Sequence, residues 1–266
     1  MAQDKTKNSE EEVRMGFFEH LDELRARLMR CLVVFFLGFI VGYFAAPYVL
    51  EILRAPLFAA LPPDQQKLYF TSLFENFLIH LKIAGYTSLF FFSPYFFYQL
   101  WAFIAPGLYP RERKLFVPFV SAATLFFLGG ACFAYFVLFP VGFKYFITYA
   151  GPTEVPLLTI DSYYTTCLKL MLMFGLSFEL PVLIALLGYL GVVDAPLLRA
   201  QRRNAILGIT IASALFAPPD AMSMVMLAIP LVLMYEGAIV VVQWLGIRRS
   251  ARLAQEEGDT WEGRSR

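Results

Sequence analysis

Charge is scarce in this chain. Asp, Glu, Lys and Arg make up 16% of its 266 residues, where a soluble domain carries about 25%. Histidine is scarcer still: His20 and His80 are the two, sixty positions apart, so no cluster with metal-ligand spacing exists. Cysteine occurs three times, as Cys31, Cys132 and Cys167, with no C-x-x-C pair. That excludes a disulfide framework and leaves three small apolar side chains of the kind that bury easily. There is no phosphate-binding glycine loop, no nucleophile elbow and no H-E-x-x-H. No site for ATP is therefore visible, and any work the protein does must draw on another energy source. The net charge of +1 gives no electrostatic case for nucleic acid. About thirty polar and charged residues precede the first apolar run, without a short apolar core ending in an A-x-A-like site. The reading is that no signal peptide is present and that the first apolar helix is retained.

What is present is apolar bulk. Hydrophobic residues reach 59% and aromatic residues 17%. They fall in long runs instead of a periodic pattern, as in helices solvated by lipid. Residues 1–15 are polar and read as disordered. Residues 16–30 read as an amphipathic helix, with Leu21, Leu24 and Leu28 on one face and Glu23 four positions before Arg27. Apolar runs then place spans at about 31–50, 77–103, 115–139, 162–190, 204–217 and 221–246. Pro56, Pro62 and Pro63 mark 55–75 as a loop, and Pro140, Pro152 and Pro156 mark 140–161 as another. Pro94 is expected to kink the second span. The fifth span is short. Fourteen residues separate Arg203 from Pro218, about 21 Å of helix against a hydrocarbon core of about 30 Å. Asp220 is placed to cap the sixth span. The tail, 248–266, is charged and reads as mobile.

Six spans put both termini on one side. Seventeen of the 22 Lys and Arg residues fall in the N-terminal segment, the 107–114 turn, the 197–204 turn and the tail. Arg54, Lys67, Lys82, Lys144 and Lys169 are the five near the opposite loops. Cationic segments resist translocation, so the richer side is expected in the cytoplasm. The fold class is therefore an all-α polytopic membrane protein, with six transmembrane helices in a concave bundle spanning 16–247.

Acids inside apolar runs are costly, about 2.5–3.5 kcal/mol at a helix centre, and so are functional candidates. Glu179 lies between apolar stretches, two residues before Pro181. It either lines a polar cleft or is a protonated acid bonded inside the bundle. Glu236 has the same two readings. Glu75 and Lys82, seven apart, share a helix face near the start of the second span and read as interfacial.

Four motifs narrow the field. His20-Leu-Asp-Glu23-Leu-Arg25-Ala-Arg27-Leu28 resembles the H-L-x-E-L-R-x-R-L opening of the TatC family. Trp101-Ala-Phe103-Ile-Ala-Pro106-Gly-Leu-Tyr109, followed by Arg111-Glu112-Arg113, is similar to its W-x-F-x-x-P-G-L-Y segment. Ser177-Phe-Glu179-Leu-Pro181 resembles its S-F-E-x-P element. Ala217-Pro-Pro-Asp220 with Pro230 resembles its last-turn element. They occur in family order across about residues 17–245. The departures are Pro110, where the family often has a basic or polar residue, and a longer tail.

The resemblance implies a non-enzymatic receptor for twin-arginine signal peptides, without cofactor or metal. It would sit multi-pass in the cytoplasmic membrane, with both termini in the cytoplasm, and form the core of a Sec-independent translocase driven by the proton-motive force. Its implied partners are TatA-type and TatB-type single-span subunits, the lipid bilayer and further copies of itself. Carried over, Glu23, Phe103 and Glu112 would form the signal-binding patch, Arg25 would support it, Glu179 would meet a partner helix, and Asp220 would belong to a structural turn. The chemistry is apt, because paired guanidiniums seek carboxylates. Glu23 and Glu112 also have local arginines, so each either binds signal or merely pairs at home. A proton-coupled solute carrier using Glu179 and a membrane-embedded enzyme are the rival classes. The first lacks internal repeats and the second lacks a paired nucleophile and base.

Overall fold

The structure, a computed structural model, describes residues 17–104, 116–149, 157–216 and 221–264. Glu112, Asp220 and the 1–15 segment lie outside the described residues. In chain order the elements are α1 (Phe17–Ala60), α2 (Glu75–Phe91), α3 (Ser93–Ile104), α4 (Phe116–Phe133), α5 (Phe139–Tyr149), α6 (Ile160–Ser177), α7 (Leu180–Tyr189), α8 (Ala195–Ala200), α9 (Arg202–Phe216) and α10 (Ala221–Arg264). Among the described residues, four continuous helical stretches are long and apolar enough to cross a membrane: 18–60, 116–149, 160–189 and 221–244. The other two passes are α2–α3, interrupted at Phe92, and the 15-residue α9.

Prolines account for most differences from the sequence expectations. The loop expected at 55–75 begins only after Ala60, because α1 runs through Pro47 and Pro56. Pro56 cannot donate to the carbonyl of Ile52 one turn back. The Tyr135 hydroxyl donates to that oxygen instead, at 2.9 Å, and Tyr163 donates to Leu53 O at 2.6 Å. Neighbouring spans thus satisfy acceptors that lipid could not. The expected break at Pro140 is likewise absent. A π-helical turn at Ala134–Leu138 widens the helix just before it, and the helix continues to Tyr149. At Pro94 the kink is real. The chain turns at Phe92, and Ser93 Oγ donates to Phe90 O at 2.8 Å, the carbonyl the proline leaves open. The tail expected to be mobile extends α10 as helix to Arg264.

The spans pack antiparallel through glycine. A Cβ on Gly42 would meet Ala84 O at 2.6 Å, and one on Gly38 would strike Ser88 and Phe92. As α1 advances by four, its contact on α2 retreats by four, which fixes both direction and register. Gly130 of α4 makes a similar approach to the Phe174 backbone of α6. Around these seams sits a core of Ile79, Ile83, Phe139, Phe174, Cys167 and Ile239. Cys167 is buried as expected, but Cys132 is exposed and Cys31 only half-buried. Leu21, Leu24 and Leu28 also face outward, so the apolar stripe of the first helix looks away from the bundle.

Candidate functional site

The N-terminal end of α1 meets the C-terminal end of α3. Glu23 and Arg27 are one turn apart, and Arg27 Nε donates to Glu23 Oε1 at 2.9 Å. Arg27 Nη2 donates to the same oxygen. Arg27 also reaches across to α3, donating from Nη1 to Gln99 Oε1 at 3.2 Å, while Gln99 Nε2 donates to the Tyr95 hydroxyl at 2.8 Å. One turn further along α3, Phe103 stacks on His20 with centroids 4.2 Å apart and planes 12° from parallel. Trp101, buried against Phe119, holds α3 in place from behind.

This arrangement leaves one carboxylate oxygen uncommitted. Both Arg27 donors use Oε1, and Oε2 of Glu23, itself buried, has no hydrogen-bond partner among the described residues; His20 Nδ1 stands 3.8 Å from it. A carboxylate offers about four lone-pair sites across its two oxygens. The aromatic shelf of His20 and Phe103 lies beside that free oxygen. The site can accept a cationic donor and stack against a flat or apolar group. The two expected members in the described region, Glu23 and Phe103, are therefore brought together through His20. Arg25 is exposed on α1, two positions from Glu23 and so turned to a different side of the helix. Glu112 belongs to the segment that leaves Ile104, one residue beyond the Phe103 shelf. His20 entered the sequence reading only as the first residue of a motif, and Tyr95 and Gln99 were not singled out there. Gln99 carried a signal: it is a polar side chain in an apolar helix, one turn from both Tyr95 and Phe103.

Glu179 lies between α6 and α7, where the helix breaks before Pro181. It is 9% exposed, and its buried Oε1 has no hydrogen-bond partner among the described residues. The reading of an acid fully bonded inside the bundle is not met at that oxygen. Glu236, by contrast, accepts from Arg202 Nη2 at 2.6 Å, which ties α10 to the start of α9. Glu236 is therefore bonded to a neighbouring helix as an ion pair at a half-exposed position, not as a protonated acid inside the bundle.

A second polar hub lies at the far end of the bundle. Glu75 is buried and accepts from Thr71 N at 2.6 Å, Thr71 Oγ1 at 3.0 Å, Ser72 N at 3.2 Å and Asp161 N at 2.7 Å. The Asp161 and Thr71 amide bonds hold its carboxyl down at about 2. Lys82, on the same face of α2, donates to Asp161 Oδ1 and to Thr165 Oγ1. Beside them, Tyr69 N donates to Leu158 O and Ile160 N to Tyr69 O, at 2.9 and 2.8 Å. Sequence reasoning gave Glu75 and Lys82 only an interfacial role. The cue was Ser72-x-x-Glu75, a capping-box pattern.

The sequence matches the family described as Sec-independent protein translocase protein (TatC) over residues 19–230. The chain belongs to the TatC family. Among its relatives, the TatC protein of Desulforapulum autotrophicum is 36% identical over 243 residues, which is 91% of this chain and 90% of that one. The TatC protein of Magnetococcus marinus is 38% identical over 250 residues, 94% and 92% of the two chains. A crystal structure of a twin-arginine translocase receptor, TatC, in the detergent DDM superposes with a TM-score of 0.76 at 34% identity. It covers 85% of this chain and all of the other. The TatC resemblance seen in the four motifs thus holds across the chain, and with it the assignment to a polytopic membrane protein of a transport system, not an enzyme.

Proposed function

We infer that this chain is the receptor for twin-arginine signal peptides and the core of the translocase that exports folded proteins. One feature carries the reading: a half-used carboxylate, Glu23, beside the His20–Phe103 shelf. One guanidinium of a signal peptide docks on Glu23, reaching the buried Oε2 by displacing the side chains that cover it, and the other is taken by Glu112 from the adjoining segment. The flat face of an arginine stacks on aromatic rings, which suits Phe103. Arg25 supports the structure of the patch. The signal's apolar stretch then lies against the bundle.

Glu179 is proposed to meet a polar group on the single helix of a TatA-type or TatB-type partner. A buried acid oxygen without a partner at membrane depth is costly, and a donor supplied by such a helix offsets that cost. Asp220 serves the turn between the last two spans. The charge bias supports placing both termini in the cytoplasm and the protein in the inner membrane. The proton-motive force drives partner recruitment, and copies of the receptor associate within the complex.

Site-specific crosslinking to a twin-arginine precursor tests the site. Loss of the adduct in Glu23→Ala and in Glu112→Ala, with normal membrane levels, is expected. Retained adduct and export in both would remove the assigned site. Restoration of folded-reporter export in a strain lacking its receptor tests the function as a whole.

A further inference from the structure

Arg54 lies thirty-one residues beyond Glu23 on α1, about 46 Å along the axis. A bilayer with its head groups is about 40–45 Å thick. The Arg54 end of the bundle therefore stands at the head-group level opposite the Glu23 site. A cavity of about 510 Å³ opens there, between α1, the connection before α2, α2 itself and the start of α6. That volume is within the range of small-ligand sites. Its walls mix apolar and charged side chains with the neutral polar groups of Gln66, Asn76 and Tyr164. Leu50, Phe58, Leu68 and Ile160 are apolar; Arg54 and Lys67 are cationic.

The charge does not cancel. Glu51 accepts one bond from Arg54 Nη2 at 2.9 Å, yet a guanidinium has five donors. Its carbon lies 5.8 Å over the Phe58 ring, which keeps the group at the cavity mouth. Arg54 and Lys67 against Glu51 leave a surplus of one positive charge. An exposed apolar track formed by Tyr43 and Ile40 continues down α1 from the cavity toward mid-membrane. A cationic mouth at head-group depth above an apolar track matches a molecule with a phosphodiester above an acyl chain. We propose that this cavity is a phospholipid site. Arg54 and Lys67 hold the phosphate, and one acyl chain runs past Leu50 and Phe58.

The test uses the full chain, stripped of lipid in nonionic detergent and titrated with dioleoyl phosphatidylglycerol, with bound lipid counted by native mass spectrometry. One tightly held lipid is expected. Arg54→Gln with Lys67→Gln weakens it by about tenfold or more, the effect of losing a charge-assisted contact. The single Lys67→Gln change, at an exposed position, keeps the fold and weakens it severalfold, while Lys144→Gln, outside the cavity lining, leaves it unchanged. Dioleoylglycerol, which lacks the phosphate, is not retained, and millimolar inorganic phosphate or glycerol 3-phosphate does not displace the lipid. Undiminished retention in Lys67→Gln would overturn the assignment. So would equal retention of dioleoylglycerol, or displacement by free phosphate.

Discussion

Glu23→Gln separates a receptor site from a local ion pair. The amide keeps an oxygen where Oε1 stands, so Arg27 still has an acceptor. At the position of Oε2 it places an NH₂, which repels an incoming guanidinium. A hydrogen bond to a charged group is worth about 1.5–3 kcal/mol. Glu23 keeps 18% of its side-chain surface exposed, so the lower part of that range applies, about 1.5–2 kcal/mol. Affinity for a twin-arginine signal peptide is then expected to fall roughly 10- to 30-fold. The fold barely responds, because the amide keeps an acceptor for the part-buried Arg27. The assay is fluorescence anisotropy of a labelled signal peptide against the receptor in nanodiscs, with a twin-lysine peptide as reference. Arg27→Gln is the internal control. If Glu23 served only Arg27, the two variants would have equal effects. If Glu23 binds signal, Arg27→Gln costs less. Binding by Glu23→Gln within twofold of the unaltered protein would refute the reasoning.

Other consequences can be measured on the purified protein. Gly42→Ala places a methyl 2.6 Å from Ala84 O, where only backbone movement can relieve it. Overpacking of this kind costs about 1–3 kcal/mol, and a lowered melting temperature in detergent is the readout. Glu75 contributes stability through a carboxyl held at about 2, below its ordinary 4.5. Because the folded value is depressed, that contribution is complete above pH 4.5 and is lost as pH falls from there through about 2. Melting scans across that window should decline for the unaltered protein and be flatter for Glu75→Gln. The Arg202–Glu236 pair is half exposed, so Glu236→Gln is expected to change stability by less than about 1 kcal/mol. The swapped pair Arg202→Glu with Glu236→Arg should restore most of the loss seen in Arg202→Glu alone.

The passes were legible in the sequence, and their ends were not. Apolar runs locate spans because lipid rewards every apolar side chain, wherever it points. Span limits were read from proline, and there the local rule failed. Whether a helix survives Pro56 depends on whether a hydroxyl arrives at Ile52 O, and that hydroxyl belongs to Tyr135, seventy-nine positions on from the proline. Pro94, whose freed carbonyl is met by the adjacent Ser93, behaved as the local rule says. The site was half legible for the same reason. Glu23 and Arg27 pair within one turn, so their spacing announced them. The stack of His20 on Phe103 and the bond from Arg27 to Gln99 join residues more than seventy positions apart, which no pattern within one helix reveals.

The second of those distant contacts, Arg27 to Gln99, follows from one register. Gly38 opposes Ser88 and Gly42 opposes Ala84. Continuing the same antiparallel count eleven residues toward the N-terminus sets Arg27 opposite Gln99, the pair observed. Eleven residues is about 16 Å of helix, so the glycine seam lies well outside the site. It nevertheless decides which side chain of α3 meets Glu23's partner. The kink at Phe92 falls between the seam and the site and must preserve that count across the break. It does so because Phe92 N still bonds to Ser88 O, and Phe96 N to Phe92 O. The glycines therefore act on signal recognition through geometry. A side chain at Gly42 that forces α1 and α2 apart should weaken peptide binding even with Glu23, Phe103 and Glu112 intact. A substitution of equal cost in the Gly130 seam, between α4 and α6, should lower stability without that loss of affinity.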